Sequence, residues 1–156
     1  MHFFMNKIQF TKEGYKQLQI ELDELQKVKR PAAVTRLSKA RAMGDLSENS
    51  EYTAAKEDLS FFEGRIQEIK ELIKNAEIIE VNTKNGIGIG VEVTVEKDGK
   101  KETYSIVGEF EADPMSKKLS STSPIGRALI GKKEGDTVEV EVPAGKLTYK
   151  IIKINK

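Results

Sequence analysis

Two long heptad-patterned segments, interrupted once by Gly44-Asp45-Leu46-Ser47-Glu48-Asn49, set the strongest limit on how this chain folds. From Thr11 to Met43, apolar positions recur at helical spacing: Tyr15, Leu18, Leu22, Leu25, Val28, Ala32, Ala33, Leu37 and Ala40. From Tyr52 to Ala76 the repeat is cleaner, through Ala55, Leu59, Phe62, Ile66, Ile69 and Ile73. Three-four alternation sustained over about three heptads is the pattern of a coiled coil. Folded back at Asp45-Leu46, the segments pair Leu37 with Ala55, Ala33 with Leu59, and Val28 or Lys29 with Phe62. Leu25 then meets Ile66, Leu22 meets Ile69 and Leu18 meets Ile73. The prediction is an antiparallel hairpin roughly 45 Å long at 1.5 Å rise per residue. Thr11 is the expected N-cap of its first helix. Pro31 is expected to kink or restart that helix, because it lacks a backbone donor and clashes with the preceding turn.

After Asn75 the period changes to that of strands. Ile78–Val81 reads as a short strand. Val91–Val95 and Glu102–Val107 alternate around Asp98-Gly99, a type I′ hairpin signal. Ser123-Pro124 before Ile125, Ala128, Leu129 and Ile130 reads as an N-cap and N1 proline opening a short helix that ends at Gly131. Val138–Val142 and Leu147–Ile152 flank Pro143-Ala144-Gly145 as a second strand pair. The fold class is therefore α+β: residues 1–77 form an antiparallel coiled-coil hairpin, and residues 78–156 a small domain of antiparallel strands with one short helix.

The bend carries two acids, Asp45 and Glu48, and two readings of them stand together. Gly44 suits the C′ position closing the first helix. Asp45 as N-cap and Glu48 at N3 have capping-box spacing, and both acids favour the positive end of a helix dipole. A pair of carboxylates at the end of a long arm also suits completion of a magnesium site half-held by another molecule, since magnesium takes one or two carboxylates plus substrate oxygens and water. Such an ion activates water in two-metal phosphodiester hydrolysis. Asn49 and Glu51 are neighbouring accessories. Leu46 at the bend is either exposed or caps the zipper.

The net charge of +1 hides segregation. Between Gln26 and Gly44 lie Lys27, Lys29, Arg30, Arg36, Lys39 and Arg41 with no acid among them, and the returning arm adds Lys56 and Arg65. A basic shaft behind an acidic tip points to nearby phosphates. Tyr52 falls in the heptad register, which favours packing over stacking on a base.

Other chemistries find no candidates. His2 is the only histidine, so Ser-His and Cys-His catalysis are excluded. Gly86-Ile87-Gly88-Ile89-Gly90 precedes a strand and not a helix, so it is no dinucleotide fingerprint. The absence of cysteine excludes disulfides and thiolate metal sites and suits a reducing compartment. No stretch resembles a signal peptide or a membrane span, so a cytoplasmic protein is expected, with no membrane partner.

Three stretches carry a resemblance to a known family. They are Ala40–Lys56, Glu63-Gly64-Arg65-Ile66 and Ser123–Lys132. Together they resemble the Gre family of bacterial transcript-cleavage factors, and the likeness covers nearly the whole chain. It implies a C-terminal domain similar to FK506-binding proteins that docks at the mouth of the RNA polymerase secondary channel, with the coiled coil reaching the active centre. The residues matching the family's acid pair, Asp45 and Glu48, would help hold a catalytic magnesium ion shared with the polymerase and not bound by the free protein. The polymerase would then cleave backtracked nascent RNA near its 3′ end. Arg41 and Lys56 would face the RNA, with Arg36 and Lys39 on the same basic shaft, while Thr122, Ser123 and Pro124 would belong to the docking surface. The resemblance implies neither independent enzymatic activity nor a small-molecule substrate. The chain has no tryptophan, so prolyl isomerase activity is not expected. The competing readings are a channel-binding regulator or inhibitor without cleavage stimulation, and a coiled-coil chaperone or adaptor with no metal role.

Overall fold

The computed structural model describes residues 7–44 and 49–155. The chain divides into two compact units, one of Tyr15–Asn75 and one of residues 1–14 with 76–156.

The Tyr15–Asn75 unit is the helical hairpin. Its first arm belongs to a run of contiguous helix: α1 (Lys12–Glu24), a π-helical turn (Leu25–Lys29) and α2 (Arg30–Ala42). Its second arm is α3 (Ser50–Lys74). The buried stripe is made of Leu18, Leu25, Ala33 and Ala40 on the first arm, and Ala55, Ile66, Ile69 and Leu72 on the second. Small residues occupy the distal end of this stripe, so the two backbones can run close together there. The disturbance expected at Pro31 is found just before it. Proline can offer no amide to the preceding turn, and the helix widens over Leu25–Lys29 before α2 starts with Pro31 in its first turn. The wider turn shifts the heptad phase. Val28, expected in the zipper, is 60% exposed, while Leu25 remains buried.

Gly44 closes the first arm as expected. Its φ of +111° is unfavourable for a side chain, and its amide donates to the Arg41 carbonyl at 3.4 Å. The start of the second arm differs from expectation. The N-cap of α3 is Asn49, whose side-chain oxygen accepts from the Tyr52 amide at 3.0 Å, and not Asp45. Asp and Asn cap about equally well, so sequence alone could not choose between them. Asp45, Leu46, Ser47 and Glu48 lie outside the described residues.

The second unit holds a five-stranded sheet of order β5-β4-β3-β7-β6. Its strands are β3 (Glu92–Lys97), β4 (Lys100–Val107), β5 (Lys118–Ser120), β6 (Thr137–Val142) and β7 (Gly145–Asn155). Pairing is antiparallel except between β4 and β5, which run parallel. Asp98 and Gly99 both have positive φ, 52° and 78°, as a type I′ turn requires. The alternating residues Val91, Val93, Val95, Ile106, Val138, Val140 and Ile151 are buried in one cluster with Ile87 and Leu129. Leu129 comes from α4 (Pro124–Leu129), which opens with the Ser123 hydroxyl accepting from the Gly126 amide at 3.1 Å.

Two features of this unit differ from expectation. The strand expected over Ile78–Val81 is β2 (Ala76–Ile78). It pairs in parallel with β1 (Ile8–Phe10), through Ile8–Ala76, Gln9–Glu77 and Phe10–Ile78. This pairing groups residues 7–14 with the sheet-bearing unit, where the sequence had assigned them to the hairpin. Phe10 is fully buried and anchors the contact.

Candidate functional site at the hairpin tip

The described residues flanking the bend form a braced pair of helix ends. The Asn49 amide nitrogen donates to the Ala40 carbonyl at 2.8 Å, while its oxygen caps α3. That carbonyl lies in the last turn of α2 and also accepts from the Met43 amide at 3.2 Å. One side chain therefore bonds to both helix ends. The Arg41 guanidinium lies 5.9 Å from the centroid of the half-buried Tyr52 ring, within cation–π range. Tyr52 thus packs within the hairpin and also supports a basic side chain.

The basic shaft is more neutralised than its one-sided sequence suggests, because acids of the facing helix and of its own neighbouring turns compensate it. The Arg36 Nε donates to Glu51 at 2.5 Å and its second nitrogen donates to Asp58 at 2.6 Å. Hydrogen bonding from Arg36 holds the Glu51 carboxyl below the usual range. Arg65 pairs with Glu21 and Glu68, each at 2.7 Å. Arg30 approaches Glu63 at 3.4 Å, and Lys27 approaches Asp23 at 2.8 Å. Among the described residues, Lys29, Lys39, Arg41 and Lys56 form no ion pair within 4.0 Å, and all four are exposed. Arg36 is therefore set apart from Lys39, Arg41 and Lys56, with which the sequence grouped it.

No group of three or more His, Cys, Asp or Glu among the described residues could hold a metal ion. Asp45 and Glu48 offer hard oxygen donors of the kind magnesium prefers, though two carboxylates are too few for a site of their own. Their donor chemistry fits an ion that takes its other oxygens elsewhere.

In the sheet unit, Thr122 and Pro124 are exposed and Ser123 is half-buried. The Ser120 and Thr122 hydroxyls lie 2.7 Å apart, and the Ser123 hydroxyl donates to the Ser120 carbonyl at 2.7 Å. These bonds and the α4 cap tie Thr122 and Ser123 to Ser120 and Gly126. A separate cavity of about 280 Å³ is lined by Val95, Lys97, Asp98, Lys100, Glu102, Tyr104 and Tyr149. There the Tyr104 hydroxyl donates to Glu102. Burial first, and Glu102 second, push the Tyr104 phenol up to about 12. Lys117 also lies 3.4 Å from Glu102.

The chain thus holds a helical hairpin, with Asp45 and Glu48 in the sequence between its arms, and a separate small sheet unit. Family models match nearly the whole chain and define its class as that of the transcription elongation factors. Residues 8–78 match the transcription elongation factor N-terminal domain of GreA and GreB, and residues 82–156 match the C-terminal domain of the same factors. The transcription elongation factor GreA of Paracoccus denitrificans is 50% identical over 153 residues, covering 96% of this chain and 98% of its own. That of Lactococcus lactis subsp. cremoris is 48% identical over 149 residues, covering 93% and 96%. Among solved structures, GreA factor homolog 1 (Gfh1) of Thermus thermophilus is 27% identical and covers 96% of this chain and 99% of its own, with a TM-score of 0.45. The chain belongs to the GreA/GreB family of transcription elongation factors.

Proposed function

We propose that this chain acts on RNA polymerase by lending Asp45 and Glu48 to the polymerase's own cleavage of backtracked nascent RNA. The sheet unit docks at the mouth of the secondary channel, with Thr122, Ser123 and Pro124 in the docking surface. The hairpin then reaches the active centre. There the two carboxylates would help hold a magnesium ion shared with the polymerase. Bound in that way, magnesium would supply Lewis-acid activation of water for phosphodiester hydrolysis. Arg41 and Lys56, and Lys39 behind them, face the RNA and reduce the repulsion between its phosphates and the incoming acids. The chain has no hydrolytic activity of its own.

The observation that carries this reading is the presence of both acids within a bend whose flanking helix ends are tied together by Asn49. A helix end needs one cap, and α3 has it in Asn49, so capping of α3 does not account for Asp45. Farther along the hairpin, Arg65 of the second arm pairs with Glu21 of the first and with Glu68.

The test is a stalled elongation complex with labelled, backtracked RNA, incubated with and without the protein. Accelerated release of a 3′ fragment is expected. Unchanged cleavage at a concentration that saturates polymerase binding would refute the reading, and suppressed cleavage would identify a channel-blocking regulator instead.

A further inference from the structure

We infer that Tyr52 is a positioning residue for Arg41: its ring holds the guanidinium beside the bend without cancelling its charge. The inference rests on the proposed role of Arg41 in cleavage stimulation. The guanidinium carbon of Arg41 lies 5.9 Å from the centroid of the Tyr52 ring. Arg41 is exposed and Tyr52 is half-buried, so a ring seated in the hairpin restrains a cation that solvent still reaches.

Both partners stand on backbone that a single side chain ties down. The Asn49 side-chain oxygen accepts from the Tyr52 amide at 3.0 Å. Its nitrogen donates to the carbonyl of Ala40, the residue before Arg41, at 2.8 Å. The Gly44 amide donates to the Arg41 carbonyl at 3.4 Å and closes that turn. Ala40 and Ala55 are buried close by in the chain, and such small side chains let the two arms approach. Contacts within the hairpin alone therefore bring the guanidinium of one arm to the ring of the other.

The kind of partner separates Arg41 from Arg36. Arg36 is held by two carboxylates, Glu51 at 2.5 Å and Asp58 at 2.6 Å, and each offsets charge that a phosphate would otherwise meet. Arg41 forms no ion pair among the described residues. An aromatic face restrains a cation through the ring quadrupole and leaves its net charge intact. A free arginine loses rotamer freedom when it engages a phosphate, and a ring that restrains it beforehand lowers that cost. An exposed contact of this kind corresponds to about two- to fivefold in an equilibrium constant. Lys56 is also exposed but has no aromatic partner among the described residues. Tyr52 should therefore act through one of these two cations and not through the other.

The experiment measures RNA cleavage by stalled complexes at low salt and at concentrations that saturate polymerase binding, with thermal unfolding measured alongside. Tyr52→Leu keeps an apolar side chain in the heptad register but no aromatic face, and should lose about two- to fivefold in stimulated rate. Tyr52→Phe should keep the wild-type rate. Tyr52→Leu should cause no further loss in an Arg41→Ala background, and its full loss in a Lys56→Ala background. A ring that only packs the hairpin would give the same loss in all three backgrounds, which would overturn the inference. A second measurement places pentafluorophenylalanine at position 52, which keeps the shape of phenylalanine but reverses the charge distribution on the ring face. It should lose as much rate as Tyr52→Leu, and a rate equal to that of Tyr52→Phe would also overturn the inference. Should Tyr52→Leu unfold below the assay temperature, the two ring variants make the decision by themselves. Failure of the wild type to stimulate cleavage would show before any variant is read, and would overturn the functional reading together with the inference built on it.

Discussion

The Asn49 side chain donates to the Ala40 carbonyl at 2.8 Å, and the same amide caps α3 through its oxygen. Its two halves are separable by substitution. Asn49→Asp keeps an N-cap acceptor but places an oxygen against the Ala40 carbonyl, and should lower stability by about 1 kcal/mol for the lost bond. Asn49→Ala loses the cap as well and should cost about 2 kcal/mol in all. Denaturant unfolding followed by helical circular dichroism checks the order. Wild-type stability of Asn49→Asp would mean that the bond to Ala40 contributes nothing, and equal stability of both variants would mean that the cap contributes nothing.

The basic residues near the tip should separate into two groups. Arg36 is engaged by Glu51 and Asp58, whereas Lys39, Arg41 and Lys56 form no ion pair among the described residues. Arg36→Ala should lower the unfolding midpoint of the hairpin and leave the salt dependence of cleavage stimulation unchanged. Arg41→Ala and Lys56→Ala should each weaken stimulation most at low salt, and reduce the slope of log activity against log salt by up to about one. Stimulation assays across a salt series distinguish the two groups. A reduced slope for Arg36→Ala would show that its guanidinium reaches phosphate despite its carboxylate partners.

Acid should loosen the shaft through Glu21. Hydrogen bonding from Arg65 holds the Glu21 carboxyl below its ordinary value, against an opposing contribution from burial. A depressed carboxyl means that the folded hairpin favours the ionised form. The stabilisation is complete above the ordinary glutamate value of about 4.3 and is lost as pH falls through the lower folded value. Arg65→Met should reduce stability at pH 7 and flatten the decline between neutral and acid conditions. Urea unfolding across that range is the measurement. Parallel pH profiles for wild type and variant would contradict the assignment.

Local patterns made much of the fold legible in the sequence. Heptad spacing gave both arms of the hairpin, Asp98-Gly99 gave the β3–β4 turn, and Ser123-Pro124 gave the start of α4, each through interactions within a few residues. The differences have non-local or competing causes. Strand β1 is three residues long, too short for alternation to show, and exists through its pairing with Ala76–Ile78. Val28 fits the heptad count but is turned outward by the wide turn ahead of Pro31. Asp45 was as good a cap as Asn49 by residue type, and the bond from the Tyr52 amide identifies Asn49 as the cap of α3. The basic run carried no acids along its own segment, yet its partners Glu51, Asp58 and Glu63 come from the returning helix. The bond from Thr11 to Glu111 spans too much chain for any spacing rule to detect.

The most direct test replaces both tip acids by their amides, Asp45→Asn with Glu48→Gln, and follows RNA cleavage by a stalled polymerase over a magnesium series. The amides keep size and hydrogen-bonding capacity but remove the anionic charge that magnesium prefers. The account predicts an intact fold, unchanged polymerase binding and loss of cleavage stimulation across the series. Wild-type stimulation by the doubly substituted protein, at the same magnesium concentrations, would contradict it.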